Sequence, residues 1–87
     1  EAKAIADEAD VEALVAQGIF FSDKGDYGRA LQAFGEAITL KPEDPMLYEN
    51  RGAAYAKKGD RDRAAEDYHQ ALSLQPGDDP GTPASLR

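Results

Sequence analysis

The side chains that could do covalent or metal chemistry are few and do not converge. There is one histidine, His69, and there is no cysteine. A thiolate nucleophile, a disulfide framework and a cysteine-ligated zinc are therefore excluded. His69 follows Tyr68 directly, so on a helix it points away from the stripe that Tyr68 occupies and reads as a surface residue. The 17 carboxylates form many Asp and Glu pairs, but at this density pairs arise by chance. Asp60 and Asp62 open like a calcium loop, yet the later ligands and the closing bidentate Glu are missing. No glycine-rich phosphate loop occurs. These residues predict a chain that is not an enzyme and needs no cofactor or metal.

Composition narrows the partners further. Eighty-seven residues make one small domain, which buries a low fraction of its surface. A net charge of −7 disfavours nucleic acid, because neutralising phosphate supplies most of that affinity. No apolar run approaches the length of a membrane span, so no membrane insertion is expected. The lack of cysteine fits a cytoplasmic protein. A chain that opens on Glu1 rather than Met is expected to be processed or to belong to something longer. The charge is unevenly spread. Arg51, Lys57, Lys58, Arg61 and Arg63, five of the ten basic residues, fall within 13 positions. They read either as a solvated helix face or as a cationic rim that steers an acidic peptide.

What remains to carry function is the pattern of the chain itself. Residues 11–44 laid over residues 45–78 coincide at an offset of 34. Gly18 falls on Gly52, Gly25-Asp26 on Gly59-Asp60, Ala30 on Ala64, Ala37 on Ala71, Leu40 on Leu74 and Pro42 on Pro76. Phe21 falls on Tyr55 and Phe34 on Tyr68. A fixed period of this length means stacked supersecondary units.

A 34-residue unit with Gly at position 8, an aromatic at 11, Ala at 20, an aromatic at 24, Ala at 27 and Pro at 32 resembles the tetratricopeptide repeat. The resemblance implies an all-α fold of two antiparallel helix-turn-helix units, a fragment of an α-solenoid that acts as a protein-interaction module. The domains expected are a helical lead-in at 1–10, either continuous with the next helix or frayed, repeat one at 11–44, repeat two at 45–78 and a disordered tail at 79–87.

The residues themselves place four helices, near 11–24, 27–40, 45–58 and 61–74. Asp7 or Asp10 is a candidate cap for the first. Leu14, Gly18 and Phe21 share one stripe of it. Ala30, Leu31, Phe34, Ala37 and Ile38 form the inward stripe of the second helix. Tyr48, Gly52 and Tyr55 form that of the third, and Ala64, Tyr68, Ala71 and Leu72 that of the fourth. A mid-helix glycine that recurs 34 residues later suggests close approach of the following helix. Gly25 and Gly59 suit left-handed helix ends, Lys41-Pro42 stops a helix, and Pro45 suits a helix start.

In stacked repeats of this resemblance the first helix of each unit lines a concave groove. Its groove positions in repeat one are Glu12, Val15, Ala16, Ile19 and Asp23, and in repeat two Met46, Glu49, Asn50, Ala53 and Lys57. The partner-binding residues expected are Val15, Ile19, Met46, Glu49, Asn50, Ala53 and Lys57. Val15, Ile19, Met46 and Ala53 give an apolar floor, and Asn50 offers both a donor and an acceptor. The string LYENRGAAYAKKGD also resembles the second repeat of co-chaperones that bind acidic chaperone tails. Of that class's carboxylate clamp only Asn50 is present, since Val15 and Ile19 replace its Lys and Asn and a third repeat is missing.

The functional expectation is a module that holds a peptide or helix of a partner protein in this groove. Self-association is the alternative, because two units without a cap leave Ala65 and Leu72 uncovered. Val15, Ile19, Phe20 and Leu72 are then candidates for a homodimer contact. A co-chaperone-like role is the third reading.

Overall fold

Glycine, proline and aspartate punctuate the chain into four helices. The computed structural model describes the backbone of residues 2–75 and the side chains of residues 9–75. The helices are α1 (Ala2–Asp23), α2 (Tyr27–Leu40), α3 (Pro45–Lys58) and α4 (Arg61–Leu74), and no strand occurs among the described residues. The expected disordered tail at 79–87 lies outside the described residues, as does the end of repeat two at 76–78.

The last three helices begin and end where the breakers stand. Each starts on an aspartate whose side chain accepts a backbone N–H: Asp26 from Arg29 at 3.2 Å, Asp44 from Met46 at 3.0 Å and Asp60 from Arg63 at 3.2 Å. A cap of this kind stabilises a helix by about 1 kcal/mol. Gly25 (φ 84°) and Gly59 (φ 97°) occupy the left-handed region that ends α1 and α3. There the N–H of Asp26 reaches Phe21 O at 2.8 Å, and that of Asp60 reaches Tyr55 O at 2.9 Å. The last carbonyls of each helix are thereby satisfied. Tyr48 Oη donates to Pro42 O at 2.9 Å and ties the connection between the units to α3.

At the start of α1 the continuous reading of the lead-in holds and the capping reading does not. The helix runs through both Asp7 and Asp10, so neither caps it. Residues 1–10 contain no glycine or proline, and their alanines and acidic residues are good helix formers, so nothing interrupts the helix before Val11. The lead-in is continuous with the first helix of repeat one.

Short connections force neighbouring helices to run antiparallel. Each hairpin is packed through a glycine. A Cβ built on Gly18 would lie 2.7 Å from Phe34 Cδ1, and one on Gly52 would lie 2.9 Å from Tyr68 Cε1 and 3.2 Å from Asp67 Cβ. Glycine is thus what lets α2 rest on α1 and α4 on α3. Two buried clusters join the hairpins. Val11, Ala37, Ile38 and Leu47 form one, and Ala30, Phe34 and Ala54 form the other. Leu47 and Ala54 both come from α3, which therefore acts as the lid of repeat one.

Two expectations about the core are corrected. Leu47, Ala54 and Ala33 are buried although the stripes omitted them. Tyr68, placed inward on α4, remains exposed, and Leu72 is uncovered as the lack of a cap implies; among the described residues no helix lies over them as α3 lies over their counterparts in repeat one.

Candidate protein-binding groove

The helices α1 and α3 stand side by side on one surface, and the groove is the trough between them. It encloses about 350 Å³ and is lined by Val11, Glu12, Val15, Ala16 and Ile19 from α1 with Asp44, Met46, Leu47 and Asn50 from the start of α3. The apolar side chains come from both walls. Ile19 is 46% and Met46 57% exposed, which is high for side chains of this size. Val15 is half-buried and packs against both core clusters, so it supports the groove as well as lining it. Asn50 adds a side-chain amide to the lining.

The seven residues expected at the site do not all meet here. Val15, Ile19, Met46 and Asn50 share the trough. Glu49, Asn50 and Ala53 line a second concavity of about 500 Å³ on the far side of α3, with Tyr68 and Leu72 of α4. Lys57 is exposed near the end of α3 and lines neither. Ala53 belongs with the second concavity because it is the counterpart of Ile19 and looks away from repeat one, as Ile19 looks toward α3.

The cationic rim is also corrected. Arg51 is not on a rim. It lies between α3 and α4, donating Nε to Asp67 Oδ2 and Nη2 to Asp67 Oδ1, both at 2.9 Å. Its guanidinium also sits 5.8 Å from the Tyr48 ring and 6.0 Å from the Tyr55 ring. The bond to Asp67 holds the Arg51 pKa above its ordinary value against the opposing effect of burial. Arg63 is likewise occupied, beside the Asp60 cap at 3.5 Å. Lys57, Lys58, Arg61 and Arg63 remain exposed, Arg63 beside its Asp60 partner. The Arg51–Asp67 pair did have a sequence signal. Asp67 stands three residues after Ala64 and four before Ala71, on the inward stripe, and a carboxylate there requires a cation.

Among the described residues no group of three or more His, Cys, Asp or Glu could hold a metal, and no helix is long and apolar enough to cross a membrane. His69 is exposed.

Two family descriptions match this arrangement, "TPR repeat" over residues 21–59 and "Tetratricopeptide repeat" over residues 45–78. The chain belongs to the tetratricopeptide repeat family. Its paired helices, mid-helix glycines and inter-repeat prolines are those of two such repeats. The chain is 44% identical over 48 residues to small glutamine-rich tetratricopeptide repeat-containing protein 2 of Mycosarcoma maydis, which covers 55% of this chain and 14% of that protein. It is 44% identical over 43 residues to tetratricopeptide repeat protein 36 of Homo sapiens, covering 49% of this chain and 23% of that protein. The chain thus spans less than a quarter of either relative. Tetratricopeptide repeats in general mediate contacts between proteins.

Proposed function

We propose that this repeat pair binds a segment of a partner protein, extended or helical, in the trough between α1 and α3. The observation that carries this reading is the exposure of Ile19 and Met46 on facing walls of one trough. Each is a large apolar side chain whose burial contributes roughly 1.5–3 kcal/mol. Asn50 provides the directional contact, because its amide can both donate to and accept from a peptide backbone. Glu49, Ala53 and Lys57 lie beyond the trough and meet only a ligand that continues across α3.

Binding of an acidic chaperone tail has less support. Val15 and Ile19 occupy the positions where the similar co-chaperones carry Lys and Asn. A carboxylate placed between them loses its hydration and gains no cation.

The test uses peptides selected from a phage-displayed random library on the immobilised chain. Ile19→Asp and Met46→Asp are each expected to weaken a selected peptide by about tenfold or more, because a charge is buried against it. Gln70→Glu, on exposed α4, adds the same charge and should leave binding unchanged. Equal loss in all three variants would point to bulk charge and against the trough. Val15→Asp is a poorer probe, since Val15 also supports the core.

Self-association through the uncapped faces is the second reading. It is favoured by a separate observation, the exposure of Tyr68 and Leu72 on α4.

A further inference from the structure

The offset of 34 lets each surface of repeat two be compared with the same surface of repeat one. Phe34 is 2% exposed and its counterpart Tyr68 41%, while Ile38 is 9% exposed and its counterpart Leu72 65%. The difference has one cause. The α3 helix covers the first pair with Ala54 and Leu47, and among the described residues nothing covers the second. The α3–α4 face is therefore a vacant seat of known shape. It accepts a helix laid parallel to α3 with apolar groups seven residues apart, as Leu47 and Ala54 are.

The chain itself carries a helix that meets this description. The counterparts of Leu47 and Ala54 on α1 are Ala13 and Phe20. Both are exposed, Phe20 at 55%. The pair Ala and Phe puts the larger group two turns along, over Tyr68, whose 41% exposed ring can turn to receive it. Charge agrees. From Asp10 to Asp23, α1 carries Asp10, Glu12 and Asp23 and no basic residue, whereas α3 ends in Lys57 and Lys58. In the parallel register Asp23 of the incoming helix falls level with Lys57.

We propose that α1 of a second copy docks on the α3–α4 face, with its Phe20 over Tyr68 and its Ala13 over Leu72. This rests on the self-association reading and gives it a face, an occupant and a direction. The contact joins unlike surfaces, so it does not close at two copies, and the chains stack head to tail into an open array. Each junction also builds a second trough like the first. Glu49 and Ala53 form one wall of it, and Glu12 and Ala16 of the second copy form the other. The outlying half of the expected site is complete only in the stack.

Sedimentation velocity of the chain over a concentration series tests this, with Phe20→Asp and Leu72→Asp as variants. Both residues are exposed, so circular dichroism should show both variants folded. The wild type is expected to grow past dimer with concentration, and each variant alone to remain monomeric. An equimolar mixture of the two should form a one-to-one pair and nothing larger, because each contributes the face that the other lacks. A wild type that stays monomeric throughout would overturn the proposal together with the self-association reading. A dimer that survives Phe20→Asp would overturn the head-to-tail contact alone and show a like-with-like junction of α4 faces. A mixture that stays monomeric while the wild type assembles would also overturn it.

Discussion

Gly18→Ala is expected to destabilise the protein by about 2 kcal/mol, while the same change at Gly52 stays within about 1 kcal/mol of neutral. Both glycines sit mid-helix, where alanine alone would gain about 1 kcal/mol in helix propensity. The difference lies in what the new methyl meets. At Gly18 it overlaps the ring of Phe34, which is buried with Ala30 and Ala54 and has nowhere to move. Overpacking of this kind costs roughly 1–3 kcal/mol, and a direct overlap stands at the upper end. At Gly52 it meets Tyr68 Cε1 at 2.9 Å and Asp67 Cβ at 3.2 Å; the ring is partly exposed and can swing toward solvent, and the Asp67 contact needs a shift of only a few tenths of an ångström. Thermal unfolding followed by circular dichroism reads the contrast. In a domain this small each 1 kcal/mol moves Tm by roughly 4–8 °C. Equal losses at both glycines would contradict the assignment of Phe34 as the fixed wall.

The Arg51–Asp67 pair should be asymmetric under substitution. Its side chains are 27% and 7% exposed, respectively. Arg51→Met leaves a buried carboxylate without a cation and is expected to cost about 3 kcal/mol. Asp67→Ala leaves an arginine that can turn toward water and keep its contact with Tyr48 and Tyr55, at about 1–2 kcal/mol. Repeat one shows the neutral alternative, with Gln17 and buried Ala33 at the corresponding positions. Combining Arg51→Gln with Asp67→Ala should therefore recover much of the loss from Arg51→Gln alone. A double-mutant cycle in urea measures the coupling. Additive single losses would mean that the two side chains act independently despite their contact. Because the Arg51 pKa is raised, its stabilising charge is fully present below the ordinary arginine range and is lost only at pH values above it. Stability at neutral pH should not vary through Arg51.

The parts of the fold legible in the sequence were those that breakers mark. The helices at 27–40, 45–58 and 61–74 have the extents that Gly25-Asp26, Pro42, Pro45 and Gly59-Asp60 imply. The beginning of α1 was not legible as a boundary, since helix formers continue through Asp7 and Asp10. The role of Leu47 and Ala54 was hidden for another reason. They face a neighbouring repeat rather than their own hairpin, so the stripe of a single helix pair omits them. The same limit split the site. Periodicity put Val15, Ile19, Met46 and Ala53 on comparable helix faces, but a groove between two helices uses opposite sides of each, so Ala53, the counterpart of Ile19, lines the next concavity. Arg51 looked like part of a basic run because charge counted along the chain is blind to Asp67, which meets it only after α4 folds back.

The central claim is that the α1–α3 trough is where this repeat pair takes its partner. The most direct measurement is amide chemical-shift mapping of the labelled chain with a library-selected peptide, at concentrations where the chain is monomeric. The account predicts the largest shifts at Val15, Ile19, Met46 and Asn50, with α2 and the outer face of α4 unmoved. Shifts centred on α2, or on Tyr68 and Leu72 with the trough silent, would contradict it.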